Sequence, residues 1–186
     1  MRTLKTLLFL VLLLAVGLAA YIYSGVYDIG ADVPHTPPVF AALDLLRERS
    51  IQRHSAGIRP PRLDGADMIA EGAEHYAAMC SGCHLAPGMA DSEIRPGLYP
   101  SPPEFYKHPP GDPAVQFWVI KHGVKLTAMP AWGGTHDDPT IWAMVAFLQK
   151  LPSLTPQQYA QMTAHAAEEH EEHEAEEHHD EAPKPQ

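Results

Sequence analysis

An all-α fold is what this sequence predicts, and three observations predict it. Apolar residues recur at helical spacing in three segments between residues 64 and 152, and no stretch shows the strict alternation of a strand. Two of those segments open with an Asp-Pro pair, a capping residue followed by proline in the first turn. Between them the 186-residue chain is broken by turns, with 19 prolines and 13 glycines in all. Its formal charge is −10, from 13 basic and 23 acidic residues, so no nucleic-acid partner is expected.

Residues 1–23 come first. Arg2 and Lys5 precede an almost unbroken apolar run from Leu7 to Ile22, which closes on Tyr21, Ile22 and Tyr23. The 18 residues from Thr6 to Tyr23 reach the short end of the roughly 17–25 needed to span a bilayer. Two tyrosines suit the membrane interface, and the leading positive charges hold the amino terminus in the cytoplasm. A transmembrane anchor follows, with everything after residue 24 on the outer side. The other reading is a cleaved signal peptide, for which Leu18-Ala19-Ala20 supplies only part of the exit site.

Residues 24–63 read as a Pro-rich connector, punctuated by Pro34, Pro37, Pro38, Pro60 and Pro61, with one helix from Val39 to His54. Arg47, Glu48, Arg49 and Arg53 crowd the second half of that helix. It packs on the domain that follows or is simply a spacer; the other reading is a segment lying on a membrane surface with its arginines near lipid phosphates.

Residues 64–152 form the compact domain. Some 90 residues bury only a modest core, so an apolar prosthetic group would supply much of what is missing. The first helix runs from Asp67 to Cys80 with Met68, Ile69, Gly72, Ala73, Tyr76 and Met79 on neighbouring faces. The second opens at Asp112-Pro113 and stops at Gly123, a residue suited to a left-handed cap. The third opens at Asp138-Pro139 and carries Ile141, Trp142, Val145, Ala146, Leu148 and Leu151 until Pro152 stops it.

Residues 153–186 read as a His/Glu-rich acidic tail. From Thr163 onward it holds five of the twelve histidines and nine of the 23 acidic residues against one lysine, and so accounts for −8 of the formal charge. Such a segment cannot bury enough apolar surface to fold alone and is expected to be disordered. His170, Glu174 and His178 fall at i, i+4 and i+8, a donor set that suits divalent zinc, copper or nickel.

The chemistry is concentrated in Cys80-Ser81-Gly82-Cys83-His84. On a helical turn both thiols and the imidazole project from one face, the arrangement by which a chain is fixed to haem. The sulfurs add to the two porphyrin vinyl groups, and the imidazole reaches the iron. A redox dithiol would want a βαβ setting, and a structural zinc would need a second ligand pair. Neither is present, and Cys80 and Cys83 are the chain's only cysteines. One covalent haem c is therefore expected.

The second axial ligand should come from a stretch able to reach the opposite face. Met129 is the candidate, in the loop Gly123 to Trp132, where Pro130 stiffens the backbone. Met89 is too near His84 in sequence, and Met144 lies on a helix face that reads as core. His108, His122 and His136 are the alternatives for a bis-histidine iron.

Taken together these elements resemble a class I c-type cytochrome, similar to membrane-tethered monohaem cytochromes and to haem c subunits of respiratory oxidases. The resemblance rests on Gly72-x-x-x-Tyr76-x-x-x-Cys80-x-x-Cys83-His84, on Met129-Pro130 and on Ile141-Trp142-x-x-Val145-x-Phe147-Leu148. It implies a small cytochrome c fold in which Gly72 and Tyr76 lie where the first helix crosses the last. It also implies a backbone carbonyl just downstream of His84, at Pro87, as acceptor for the proximal imidazole. Arg95, Tyr99, Lys125 and Trp132 become candidate partners for the haem propionates.

An iron held by His and Met has no vacant position for substrate, so an electron carrier rather than an enzyme is expected, with a potential toward the positive part of the axial-ligand range. Its partners would be an oxidase, a dehydrogenase or another cytochrome. Its place would be the bacterial inner membrane, with the haem domain facing the periplasm. Two other readings stay open: a metal-handling protein whose tail is linked to the haem, and a haem sensor or peroxidase, although no distal base and arginine pair is evident.

Overall fold

A computed structural model describes residues 2–109 and 111–164, and among these residues the chain is helical with no strand. The chain divides into two units, one ending at Thr36 and one beginning at Pro37. The first is dominated by α1 (Arg2–Ser24), none of whose residues is buried. At 1.5 Å per residue its 23 residues measure about 35 Å, enough to cross a hydrocarbon layer of about 30 Å. It ends where Gly25 turns to φ +62°.

The second unit holds α2 (Pro37–Ser55), α3 (Ala66–His75), α4 (Ser81–His84), α5 (Pro113–His122), α6 (Asp138–Lys150) and α7 (Pro156–Met162). Its centre is the crossing of α3 and α6. A Cβ on Gly72 would lie 2.0 Å from the Ala143 carbonyl oxygen and 2.9 Å from Phe147 Cβ, so only glycine lets the two backbones approach this closely. One turn later the Tyr76 ring packs on Phe147 at 5.3 Å between centroids, as the resemblance implies. Helix α6 buries Ile141 and every residue from Ala143 to Leu148, so it is enclosed on nearly all sides. Phe117 of α5 stacks on Trp142 of α6 at 4.1 Å.

The connector helix packs on α5 within this unit. Ile51 and Ser55 of α2 are buried, and His54 stacks on Trp118 of α5 at 5.6 Å.

The helix starts follow their caps, with one correction. Asp112 accepts from Ala114 N–H at 2.8 Å and caps α5 as expected. Helix α6 is capped by Asp137, not Asp138: Asp137 accepts from Thr140 N–H at 3.0 Å, three residues on, the usual reach of a capping carboxylate. Asp138 lies inside the first turn and pairs with Lys121 at 2.6 Å.

A second difference lies past Pro152, in residues that the sequence reading assigns to the tail. Thr155 and Gln158 form a reciprocal capping box that starts α7, and Tyr159 is buried and faces Phe147 at 6.3 Å. Helix α7 is part of the core. Truncation after Ser153 is therefore expected to cost at least about 2 kcal/mol and to lower the unfolding midpoint by ~10 °C. Truncation after Ala164 spares all of α7 and should leave the midpoint nearly unchanged by calorimetry. The remainder of the tail, with His170, Glu174 and His178, lies outside the described residues.

Candidate functional site

Helix α3 reaches the cysteine motif through one widened turn. Over Tyr76–Cys80 the Ser81 N–H bonds to the Tyr76 carbonyl, five residues back instead of four, an insertion of the kind that gathers at functional sites. Ser81 Oγ donates to the Ala77 carbonyl at 2.7 Å and steadies the turn. The chain then reverses at Leu85, whose φ of +57° is unusual for a side chain branched beyond Cβ. Burial of Leu85 and a 2.6 Å hydrogen bond from the buried Tyr76 hydroxyl to its carbonyl hold that conformation.

Cys80 and Cys83 are both free and partly buried. Burial, with a smaller contribution from Cys83, pushes the Cys80 thiol up to about 12. It stays an S–H group at neutral pH.

His84 stands in a defined tautomer. Its Nδ1 lies 2.9 Å from the Pro103 carbonyl oxygen. A carbonyl only accepts, so Nδ1 carries the proton and Nε2 keeps its lone pair. Burial holds the imidazole below its ordinary range, the Pro103 bond acts against that, and the positive charge of Arg95 adds to it. The ring stacks on Phe105 at 4.6 Å. The acceptor is thus Pro103, not Pro87. Pro87 is buried in the turn that follows Leu85, whereas residues 102–104 come alongside the imidazole from across a loop.

That segment is held by Arg95. Its Nη2 donates to Glu104 Oε1 at 2.9 Å and to the Pro102 carbonyl at 3.3 Å, and its Nη1 donates to Asp91 at 3.3 Å. The Nε of Arg95 is buried and has no partner among the described residues. A buried guanidinium donor left over beside the motif fits an anionic group such as a haem propionate. Glu104 also takes Lys107, and that bond first, with Tyr106 and Arg95 adding, holds its carboxyl below its ordinary value near 4.5.

A pH dependence follows from this clamp. A carboxylate with a lowered folded value contributes its stability in full above the unfolded value and loses it as pH falls through the folded one. Glu104→Gln should lower the thermal midpoint at pH 7, and the gap from wild type should close as pH drops well below 4.5. A gap that persists at pH 3 in melting curves would show the carboxylate's charge to be irrelevant.

Met129 sits in a turn closed by its own hydrogen bonds. Val124 N–H donates to the Met129 carbonyl at 3.1 Å, Thr127 Oγ1 donates to the Val124 carbonyl at 2.7 Å, and Met129 N–H donates back to Thr127 Oγ1 at 3.1 Å. Gly123, at φ +64°, lies against the backbone of this turn: a Cβ there would stand 2.7–2.8 Å from Pro130 C, Ala131 N and Met129 O. Met129 is partly buried and packs on the same apolar core as Cys80, Met79, Phe105 and Trp132.

The alternatives have other surroundings. His136 is bonded to Thr135 Oγ1 at 2.9 Å and meets His75 edge-on at 5.3 Å; His122 lies on Trp118 at 5.1 Å; His108 is exposed. Met144 is 2% exposed within the core, and Met89 is 39% exposed. Of the other residues the resemblance suggests, Lys125 is exposed and Trp132 packs on the core. Pro103, Glu104 and Thr127 are site residues that sequence reasoning missed. The one signal for Pro103 was its place in a Pro-rich run, where carbonyls outnumber N–H groups.

Comparison with known proteins bears on the class of the domain. Residues 67–148 match the family model described as cytochrome c oxidase, cbb3-type, subunit III. The chain is similar to one chain of the reducing HAO-like protein complex of Kuenenia stuttgartiensis, with 21% sequence identity and a TM-score of 0.44. That match covers 51% of this chain and 47% of the other, so it spans about half the length of each. No curated protein matches the chain.

Proposed function

We propose, from the premise that residues 67–148 form a class I c-type cytochrome domain, that this protein is a membrane-anchored electron carrier with one covalent haem. A domain of that class implies haem-based electron transfer between redox partner proteins. In our reading Cys80 and Cys83 would hold the porphyrin through thioethers, and His84 Nε2 and Met129 Sδ would hold the iron. The haem supplies a one-electron iron couple.

The protein's part is to place and shield that couple. Pro103 fixes the His84 tautomer, so that the ligating nitrogen needs no deprotonation. The turn from Val124 to Met129 offers a neutral thioether from a preformed backbone. Arg95 brings a half-buried positive charge and, at Nε, a buried spare donor. With two protein ligands no position is left for substrate, which favours transfer of electrons over chemistry on a bound molecule. The observation that supports this reading most is the His84 to Pro103 bond, because it selects a ligand out of an ordinary histidine.

Redox titration of the purified protein tests it: a single one-electron wave at positive potential is expected, and a two-electron dithiol wave would contradict it. The anchoring is tested separately. Helix α1 should keep the mature protein in the membrane fraction through carbonate washing, on the periplasmic face of the inner membrane. A soluble product beginning near Tyr21 would show the segment to be a signal peptide.

A further inference from the structure

The connector helix has a second face that the haem domain leaves unused. Ile51 and Ser55 turn inward, and at 3.6 residues per turn Ala42, Leu45, Leu46, Arg49 and Arg53 fall on the opposite side. Leu45 is 58% exposed and Leu46 66% exposed, and both arginines are exposed. The ion pairs within α2 all belong to Arg47, which is held by Asp44 and Glu48. Among the described residues Arg49 and Arg53 make no ion pair. The face is apolar toward its start and cationic toward its end.

We infer that this face of α2 is a docking surface for an anionic phospholipid bilayer, with Leu45 and Leu46 entering the interface and Arg49 and Arg53 on lipid phosphates. Three observations converge on lipid. The charge is of the sign that binds phosphate headgroups, and two adjacent leucines add the apolar area that interfacial helices use. Only residues 25–36 separate α1 from α2. Twelve residues span at most ~43 Å, so an anchored chain keeps α2 near the bilayer at high effective concentration. Docking of this face would fix how the haem domain is presented to a membrane-bound partner. The inference rests on the anchored reading of α1.

The test uses the full-length haem-loaded protein in nanodiscs of phosphatidylcholine alone or with phosphatidylglycerol. With Cys80 and Cys83 committed to haem, Leu45→Cys provides the one free thiol for a spin label. Power saturation then reports its access to oxygen, enriched in lipid, against a water-soluble nickel chelate. The oxygen-to-nickel ratio should rise several-fold in discs containing phosphatidylglycerol and fall back in high salt. Arg49→Ala with Arg53→Ala should weaken docking about fivefold per arginine at low salt, with the haem spectrum unchanged. A label equally exposed to water in both lipids, on a chain still held by the disc, would overturn the docking and leave the anchor standing. A chain that leaves the disc would overturn both. A label shielded in either lipid, but released by truncation after Ala164, would assign the face to the acidic tail and also overturn the inference.

Discussion

Gly72→Ala is expected to lower the unfolding midpoint by ~15 °C or more. The added Cβ would lie 2.0 Å from the Ala143 carbonyl oxygen, far inside van der Waals contact, and the obstacle is backbone that no rotamer change can move. Helices α3 and α6 must part, and with them the packing of Ala73, Tyr76, Ile141 and Phe147, all of them buried. Overpacking of this kind costs about 1–3 kcal/mol where side chains can give, and more where they cannot. Against a total stability of roughly 5–15 kcal/mol that is a large share. The same separation would shift Tyr76, whose hydroxyl pins Leu85 directly after His84, so haem incorporation should fall as well. Thermal unfolding and the ratio of haem absorbance to protein check both effects. A midpoint within ~3 °C of wild type would mean that the helices are not in backbone contact at Gly72.

Met129→Ala should act on the iron instead of the fold. Methionine 129 is only partly buried, so its loss opens a small gap and costs ~1–2 kcal/mol of stability. Loss of a thioether ligand should lower the reduction potential by roughly 0.2 V, a fraction of the range of about 0.8 V that axial ligands span. The vacated position should admit carbon monoxide in the reduced protein, which wild type should refuse. If potential and carbon monoxide binding are both unchanged, the ligand is another residue, and His136 and His122 would be the next to replace.

How much of this was legible in the sequence differs from residue to residue. Gly72 and Tyr76 were placed at a helix crossing by the resemblance to c-type cytochromes, and the crossing is there. The starts and stops of α5 were readable from Asp112, Pro113 and Gly123, since caps act over three or four residues of local chain. The Asp137-Asp138 pair was ambiguous, because either carboxylate precedes a proline closely enough to cap. Helix α7 was missed since its capping box stands in a Pro-rich stretch leading into an acidic tail, and only Tyr159 marks it as core.

The rest depends on contacts far apart in sequence. The His84 acceptor lies 19 residues away, across a loop that has no periodicity to read. Arg95 could be picked out as a cation near the motif, but its hold on residues 102–104 is a tertiary fact. The widened turn at Tyr76–Cys80 leaves no mark in composition. That Met129 lies in a loop was plain from Pro130; that Thr127 and Gly123 shape its turn was not.

We propose a haem c held by Cys80 and Cys83, with iron ligated by His84 and Met129. Optical spectra of the purified protein test it most directly, recorded oxidised, reduced and reduced under carbon monoxide. The expected result is the haem c spectrum of doubly thioether-linked porphyrin, a weak near-infrared band in the ferric state, and no change on adding carbon monoxide. A spectrum of haem with free vinyl groups, absence of the near-infrared band, or ready binding of carbon monoxide would contradict it.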